Sequence, residues 1–104
     1  MKPPPFEYVA ASSAADAVEA LRRYGDEAKI LAGGQSLIPM LALRLARPSA
    51  LVDINRCDDL EGLAESGGVL TVGALARQRD LERWARTGSP LLSEALGWVA
   101  HAPI

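Results

Sequence analysis

Polar and apolar positions alternate along Phe6-Glu7-Tyr8-Val9-Ala10, the period of a strand with one buried face. After Ser12 and Ser13, both good helix caps, the period lengthens: Ala14, Ala17, Val18, Leu21 and Tyr24 recur at helical spacing. This predicts an amphipathic helix with Glu19 and Arg23 on its outer face, stopped by Gly25. Lys29-Ile30-Leu31-Ala32 reads as a second strand, Leu37 to Leu45 as a helix, and Leu51-Val52-Asp53-Ile54 as a third strand. Beyond Asn55 the texture changes. Arg56-Cys57-Asp58-Asp59 is a turn, and Leu63–Ser66 and Val69–Val72 form a hairpin closed by Gly67-Gly68, a pair able to supply positive φ. A helix over Gln78–Arg86 follows, burying Leu81, Trp84 and Ala85. Ser89-Pro90 opens a last helix with Leu92, Ala95, Leu96 and Val99 inward. The order βαβαβ then ββαα is an α+β arrangement rather than a doubly wound sheet. Residues 1–55 and 56–104 form its two parts.

Composition narrows the class. The chain has 104 residues, 49% hydrophobic and 23% charged, a balance that excludes disorder and suits one domain. No apolar run reaches about 18 residues, so no membrane span is expected. The Pro-rich start lacks the apolar core of a secretion signal. One cysteine, Cys57, and one histidine, His101, exclude a disulfide scaffold, a Cys-ligated cluster and a His-rich metal site. A reducing cytoplasm is the expected address. The net charge of −2 gives no broad positive field for nucleic acid. Arg77, Arg79, Arg83 and Arg86 are broken by Asp80 and Glu82 and read as a solvated helix face with Glu82 pairing Arg86.

The segment with chemistry is Lys29-Ile30-Leu31-Ala32-Gly33-Gly34-Gln35-Ser36-Leu37: strand, glycine turn, helix. Adjacent glycines bare the backbone and admit positive φ, so successive N–H groups can converge on an anion. Ser36 is expected to cap the helix, and Pro39, at the third helical position, sacrifices no hydrogen bond there. The segment matches neither G-x-x-x-x-G-K-[ST] nor G-x-G-x-x-G. From the residues alone, an ordinary strand-to-helix turn and a phosphate loop both stand.

Ile30-Leu31-Ala32-Gly33-Gly34-Gln35-Ser36-Leu37-Ile38-Pro39-Met40 closely resembles the first flavin loop of the FAD-binding medium subunits of molybdenum hydroxylases, of the carbon monoxide dehydrogenase kind. Phe6 with the Ala14–Tyr24 helix, Leu51-Val52-Asp53-Ile54, and Leu70-Thr71-Val72-Gly73-Ala74-Leu75 followed by Arg79-Asp80-Leu81-Glu82 agree in order and spacing. The resemblance implies the N-terminal portion of a two-lobed FAD-binding domain of the vanillyl-alcohol oxidase/PCMH-like type. Residues 1–55 would be the first sublobe and 56–104 the truncated start of the second. It implies that Ala32, Gly33, Gly34, Gln35, Ser36 and Leu37 wrap the FAD pyrophosphate. Lys29, Ile30 and Leu31 would run beside the dinucleotide, with Val99 and Ala100 also touching it. The family pattern continues past a segment like His101-Ala102-Pro103-Ile104 into RNxGTxGG and DP motifs, where this chain stops.

The function so implied is that of an oxidoreductase flavoprotein subunit. It passes electrons from iron–sulfur clusters through FAD to an external acceptor. Its partners would be a molybdopterin-binding large subunit, which oxidises the substrate, and a [2Fe–2S] small subunit, in a heterotrimer. A non-catalytic anion-binding or interaction module that has lost the flavin is the alternative. A covalent flavoprotein such as an alcohol oxidase is a third reading, disfavoured because the lone His101 lies outside the loop. No catalytic or metal residue is expected on this chain: His101 reads as a helix-end group, Cys57 as a buried or turn thiol, and Trp84 and Trp98 as core. Asp53 reads as a turn cap and Asp58-Asp59 as a solvated pair.

Overall fold

The computed structural model describes residues 2–99. The chain divides into two compact units, one ending at Glu61 and the other beginning at Gly62. Cys57 is fully buried and Asp59 is bonded to the first helix, so the turn after Asn55 packs with the residues before it.

In the first unit, β1 (Glu7–Ala10), β2 (Ala28–Leu31) and β3 (Ala50–Asp53) form a parallel sheet in the order β1-β3-β2. The last strand lies in the middle, and Ala50, Leu51 and Val52 are buried on both its faces, as a covered parallel strand requires. Helix α1 (Ala14–Tyr24) packs against β3 and β2. Ser13 caps it by accepting from the Asp16 N–H at 3.1 Å, and Gly25, at φ +65°, closes it. Its buried residues are Ala17 and Ala20, while Val18 is half exposed. Ala14, Leu21 and Tyr24 are half-buried as expected, and Ala20 takes the inward place expected of Val18. Asp59 reaches back from a 3-10 turn (Asp58–Leu60) and accepts from the Ala14 N–H with both oxygens, at 3.1 and 3.0 Å. Asp59 is exposed in a turn, as expected, and also caps the helix.

Helix α2 spans Leu37–Ala42, shorter than expected. Arg44, at φ +58°, takes the left-handed conformation that ends it, and Leu45 N–H folds back to the Met40 carbonyl. Leu41 is buried; Ile38, Met40, Leu43 and Leu45 are exposed.

In the second unit, β4 (Leu63–Ser66) and β5 (Val69–Val72) form the antiparallel hairpin, with Gly67 and Gly68 both at positive φ (+59° and +79°). That pair of angles is what a two-residue turn of matching twist demands. Helices α3 (Gln78–Gly88) and α4 (Pro90–Leu96) pack on each other. Ser89 caps α4 through the Leu92 N–H, with Pro90 at the first helical position. Ala85 is buried; Leu81, Trp84, Leu92 and Leu96 are half-buried and Ala95 is exposed. Trp98 is 82% exposed and lies past the end of α4, so it is not a core residue. The ion pair on α3 joins Arg83 to Asp80 at 3.8 Å, one step from the expected Glu82–Arg86. No described helix is long and apolar enough to cross a membrane.

Candidate functional site

In a parallel sheet every strand delivers its chain to the same edge. Here Ala10, Asp53 and Leu31 share one register level, so the segments after β1, β3 and β2 leave side by side. Two bonds extend the ladder beyond the strands: Ala11 N–H donates to the Asp53 carbonyl at 2.9 Å, and Ile54 N–H to the Leu31 carbonyl at 3.0 Å. The carboxyl edge of an open parallel sheet is where ligands gather in such folds. The glycine turn leaves β2 at this edge.

Its backbone explains one glycine but not the other. Gly34 sits at φ +75°, and a Cβ there would lie 2.8 Å from Ile38 Cγ1 and 3.3 Å from Leu31 Cδ1. The fold itself requires glycine at this position. Gly33 has no such constraint: a Cβ would meet nothing within 4 Å. Open space over Gly33 leaves its backbone approachable from outside.

The entry into α2 differs from the expected Ser36 cap. Ile38 N–H donates to the Gly34 carbonyl at 3.0 Å, so the helical turn is already under way at Ser36. Ser36 has helical angles (φ −98°, ψ −41°) and makes no side-chain cap bond. The Gly34 carbonyl accepts the first bond of the turn, so Ser36 is not its cap. Pro39 is the third residue of α2, but with the turn begun at Gly34 its missing N–H leaves the Gln35 carbonyl without that donor.

Among the described residues, the N–H groups of Gly33, Gly34, Gln35, Ser36 and Leu37 donate to no protein acceptor. They are five consecutive backbone donors with no acceptor among the described residues. The side chains of Gln35 and Ser36 are exposed and form no hydrogen bond within the described residues. Lys29 and Ile30 are exposed on β2, an outer strand, while Leu31 and Ala32 are half-buried. The eight residues from Lys29 to Ser36 and the first residue of α2, Leu37, are therefore one continuous stretch at the sheet edge. Val99 lies in the second unit, 46% exposed; Ala100 and His101 fall outside the described residues.

A support for the loop escaped the sequence reading. Asn55 Nδ2 donates to the Ala32 carbonyl at 2.8 Å and to Asp53 Oδ1 at 2.8 Å. Asp53 Oδ1 also accepts from the Asn55 backbone N–H at 2.9 Å, closing a turn as expected for a capping aspartate. Asp53 Oδ2 accepts from the Tyr8 hydroxyl. That bond, with help from the Asn55 donors and the Arg56 charge, holds the Asp53 carboxyl below its ordinary range. The same bond pushes the Tyr8 phenol up. Cys57, buried beside the Ala11 carbonyl, has its thiol pushed up by burial and is an inert core group. The signal available in the sequence was Asp53-Ile54-Asn55 after a strand, two turn-forming side chains two residues apart.

Comparison with known proteins places these features in context. Residues 4–104 match the family model described as FAD binding domain in molybdopterin dehydrogenase. The chain is 47% identical over its whole length to the 6-hydroxypseudooxynicotine dehydrogenase complex subunit alpha of Paenarthrobacter nicotinovorans, covering 36% of that protein. It is 44% identical over its whole length to the carbon monoxide dehydrogenase medium chain of Hydrogenophaga pseudoflava, covering 37% of it. Among solved structures, a carbon monoxide dehydrogenase from H. pseudoflava lacking the Mo-pyranopterin moiety of its cofactor superposes with a TM-score of 0.90 at 43% identity, over 98% of this chain and 36% of that one. Quinoline 2-oxidoreductase from Pseudomonas putida 86 superposes at 0.84 with 38% identity, over 97% of this chain and 36% of that one. The chain thus spans a little over a third of the length of the relatives it matches.

Proposed function

The chain belongs to the family of FAD binding domains in molybdopterin dehydrogenases, and from that premise we propose that its glycine turn holds the FAD of a multi-subunit molybdenum hydroxylase of the carbon monoxide dehydrogenase kind. The observation that carries this reading is the run of five N–H groups from Gly33 to Leu37, which find no acceptor among the described residues at the carboxyl edge of the sheet. Unpaired backbone donors in a turn are satisfied by water or by a ligand, and a pyrophosphate offers oxygens to several at once. The open space over Gly33 admits that group to the backbone. Helix α2 has six residues, so the amides themselves, rather than a long helix dipole, do the binding. Gln35 and Ser36 add side-chain donors, and Lys29 and Ile30 border the path of the dinucleotide along β2.

When bound, FAD supplies the redox chemistry, accepting electrons from iron–sulfur clusters and yielding them to an external acceptor. In this reading the clusters belong to a [2Fe–2S] small subunit and the substrate is oxidised on a molybdopterin-binding large subunit, in a reducing cytoplasm. The residues of this chain bind and orient. The test is Gly33→Val, read by flavin fluorescence quenching on titration with FAD and by the thermal midpoint of the flavin-free protein. We expect FAD to bind at least about tenfold more weakly, the equivalent of one or two lost hydrogen bonds and a steric block, while the midpoint stays within a few degrees. Unchanged FAD affinity in this variant overturns the assignment.

A further inference from the structure

Asn55 is an exposed side chain that ties two strands' ends to the loop. Its amide nitrogen divides between the Ala32 carbonyl and Asp53 Oδ1, each at 2.8 Å. Ala32 is the residue immediately before Gly33, so this bond fixes the peptide plane that leads into the run of unpaired N–H groups. Asp53 is itself held from two sides, by the Tyr8 hydroxyl from β1 and by the Asn55 backbone N–H. The amide therefore bears on an anchored carboxylate rather than on a free side chain. Apart from this contact and the Ile54–Leu31 bond, the described hydrogen bonds tie the stretch from Leu31 to Gly33 to nothing else beyond β2.

We propose that Asn55 is a positioning residue for the dinucleotide loop: through the Ala32 carbonyl it presets the orientation of the Gly33–Leu37 amides before FAD arrives. The inference rests on the reading of that loop as the FAD-holding segment. A loop that samples several orientations binds with an affinity reduced by the fraction of time spent in the competent one. A tether that raises this fraction improves affinity without touching the ligand.

Replacing the side chain by alanine removes both amide bonds and leaves the backbone N–H to Asp53, and the Tyr8–Asp53 bond, in place. Asn55→Ala should therefore weaken FAD binding about fivefold to tenfold, the size expected for one well-formed hydrogen bond. The thermal midpoint of the flavin-free protein should stay where it is. Asn55→His, which can return an N–H donor at nearly the same reach from the backbone, should recover most of the affinity. A merely structural role for Asn55 would lower affinity and midpoint together and give no recovery with histidine; that result overturns the inference. With Gly33→Val titrated alongside, two further outcomes separate. If Gly33→Val loses FAD and Asn55→Ala does not, the positioning role is wrong and the loop assignment stands. If neither variant loses FAD, the loop assignment is wrong and the positioning role falls with it.

Discussion

Placing an alanine at Gly34 puts a Cβ on a backbone at φ +75°, 2.8 Å from Ile38 Cγ1 and 3.3 Å from Leu31 Cδ1. The left-handed conformation costs an L-residue about 1–2 kcal/mol. Ile38 is 53% exposed, so its side chain can swing aside, at roughly 0.5–1.5 kcal/mol for an unfavourable rotamer. The sum is about 1.5–3.5 kcal/mol, or a fall of about 6–28 °C in the midpoint of a small domain. The neighbouring Gly33→Ala meets no atom within 4 Å and no positive φ, so its effect should stay within about 0.5 kcal/mol. Both substitutions restrict the unfolded chain equally, so their difference isolates strain in the folded loop. Urea denaturation of the two flavin-free variants, followed by circular dichroism, measures it. Equal stabilities within about 0.5 kcal/mol would refute the claim that the fold demands glycine at one position and only the ligand demands it at the other.

Other outcomes follow from the same geometry. Because the Tyr8 hydrogen bond lowers the Asp53 pKa from 3.8, its contribution to stability is present above that value and is lost as pH falls through the folded-state pKa. Tyr8→Phe should flatten this acid limb in midpoint-against-pH curves, and an unchanged limb would dissociate the carboxyl from the phenol. The raised Tyr8 pKa works at the other end, its contribution being present below 10.0 and lost as pH rises through the raised value; the same variant should remove that alkaline dependence. Asp59→Ala leaves the first N–H of α1 without its acceptor and should cost about 1 kcal/mol by chemical denaturation, against no measurable change for Asp58→Ala.

Strands and helices whose signals are local were legible in the sequence. Alternation placed β1 and the hairpin, and Ser13, Ser89-Pro90 and Gly67-Gly68 marked their caps and turn because each acts on its own neighbours. What failed depended on angles or on distant partners. Ser36 resembles a cap, yet the turn already begins at the Gly34 carbonyl, which accepts from the Ile38 N–H. Val18 fits the helical stripe, yet it is exposed while Ala17 and Ala20 are buried, because which edge of the stripe meets the sheet depends on tertiary packing. Trp98 fits the continued stripe of α4, but the helix ends at Leu96 before reaching it. The glycine loop was readable as a stretch of residues. The Asn55–Ala32 bond was not, because it depends on β3 lying beside β2, which no local pattern specifies.

The strand order carries a consequence for how this chain is born. β1 and β2 pair with β3 and not with each other, Glu7 and Ala28 both meeting Ala50. On a ribosome, the first two strands emerge with no partner, and the sheet has nothing to zip onto until the third has cleared the exit tunnel. Closing both long loops onto one late strand is an all-or-none event with slow kinetics. Until then the apolar face of α1 has no sheet beneath it, and the nascent protein is at its most vulnerable to sticking to its neighbours. Slowing synthesis well downstream of Asp53, once β3 has cleared the tunnel, or delaying a chaperone's release until then, would serve this fold better than the same pause placed earlier.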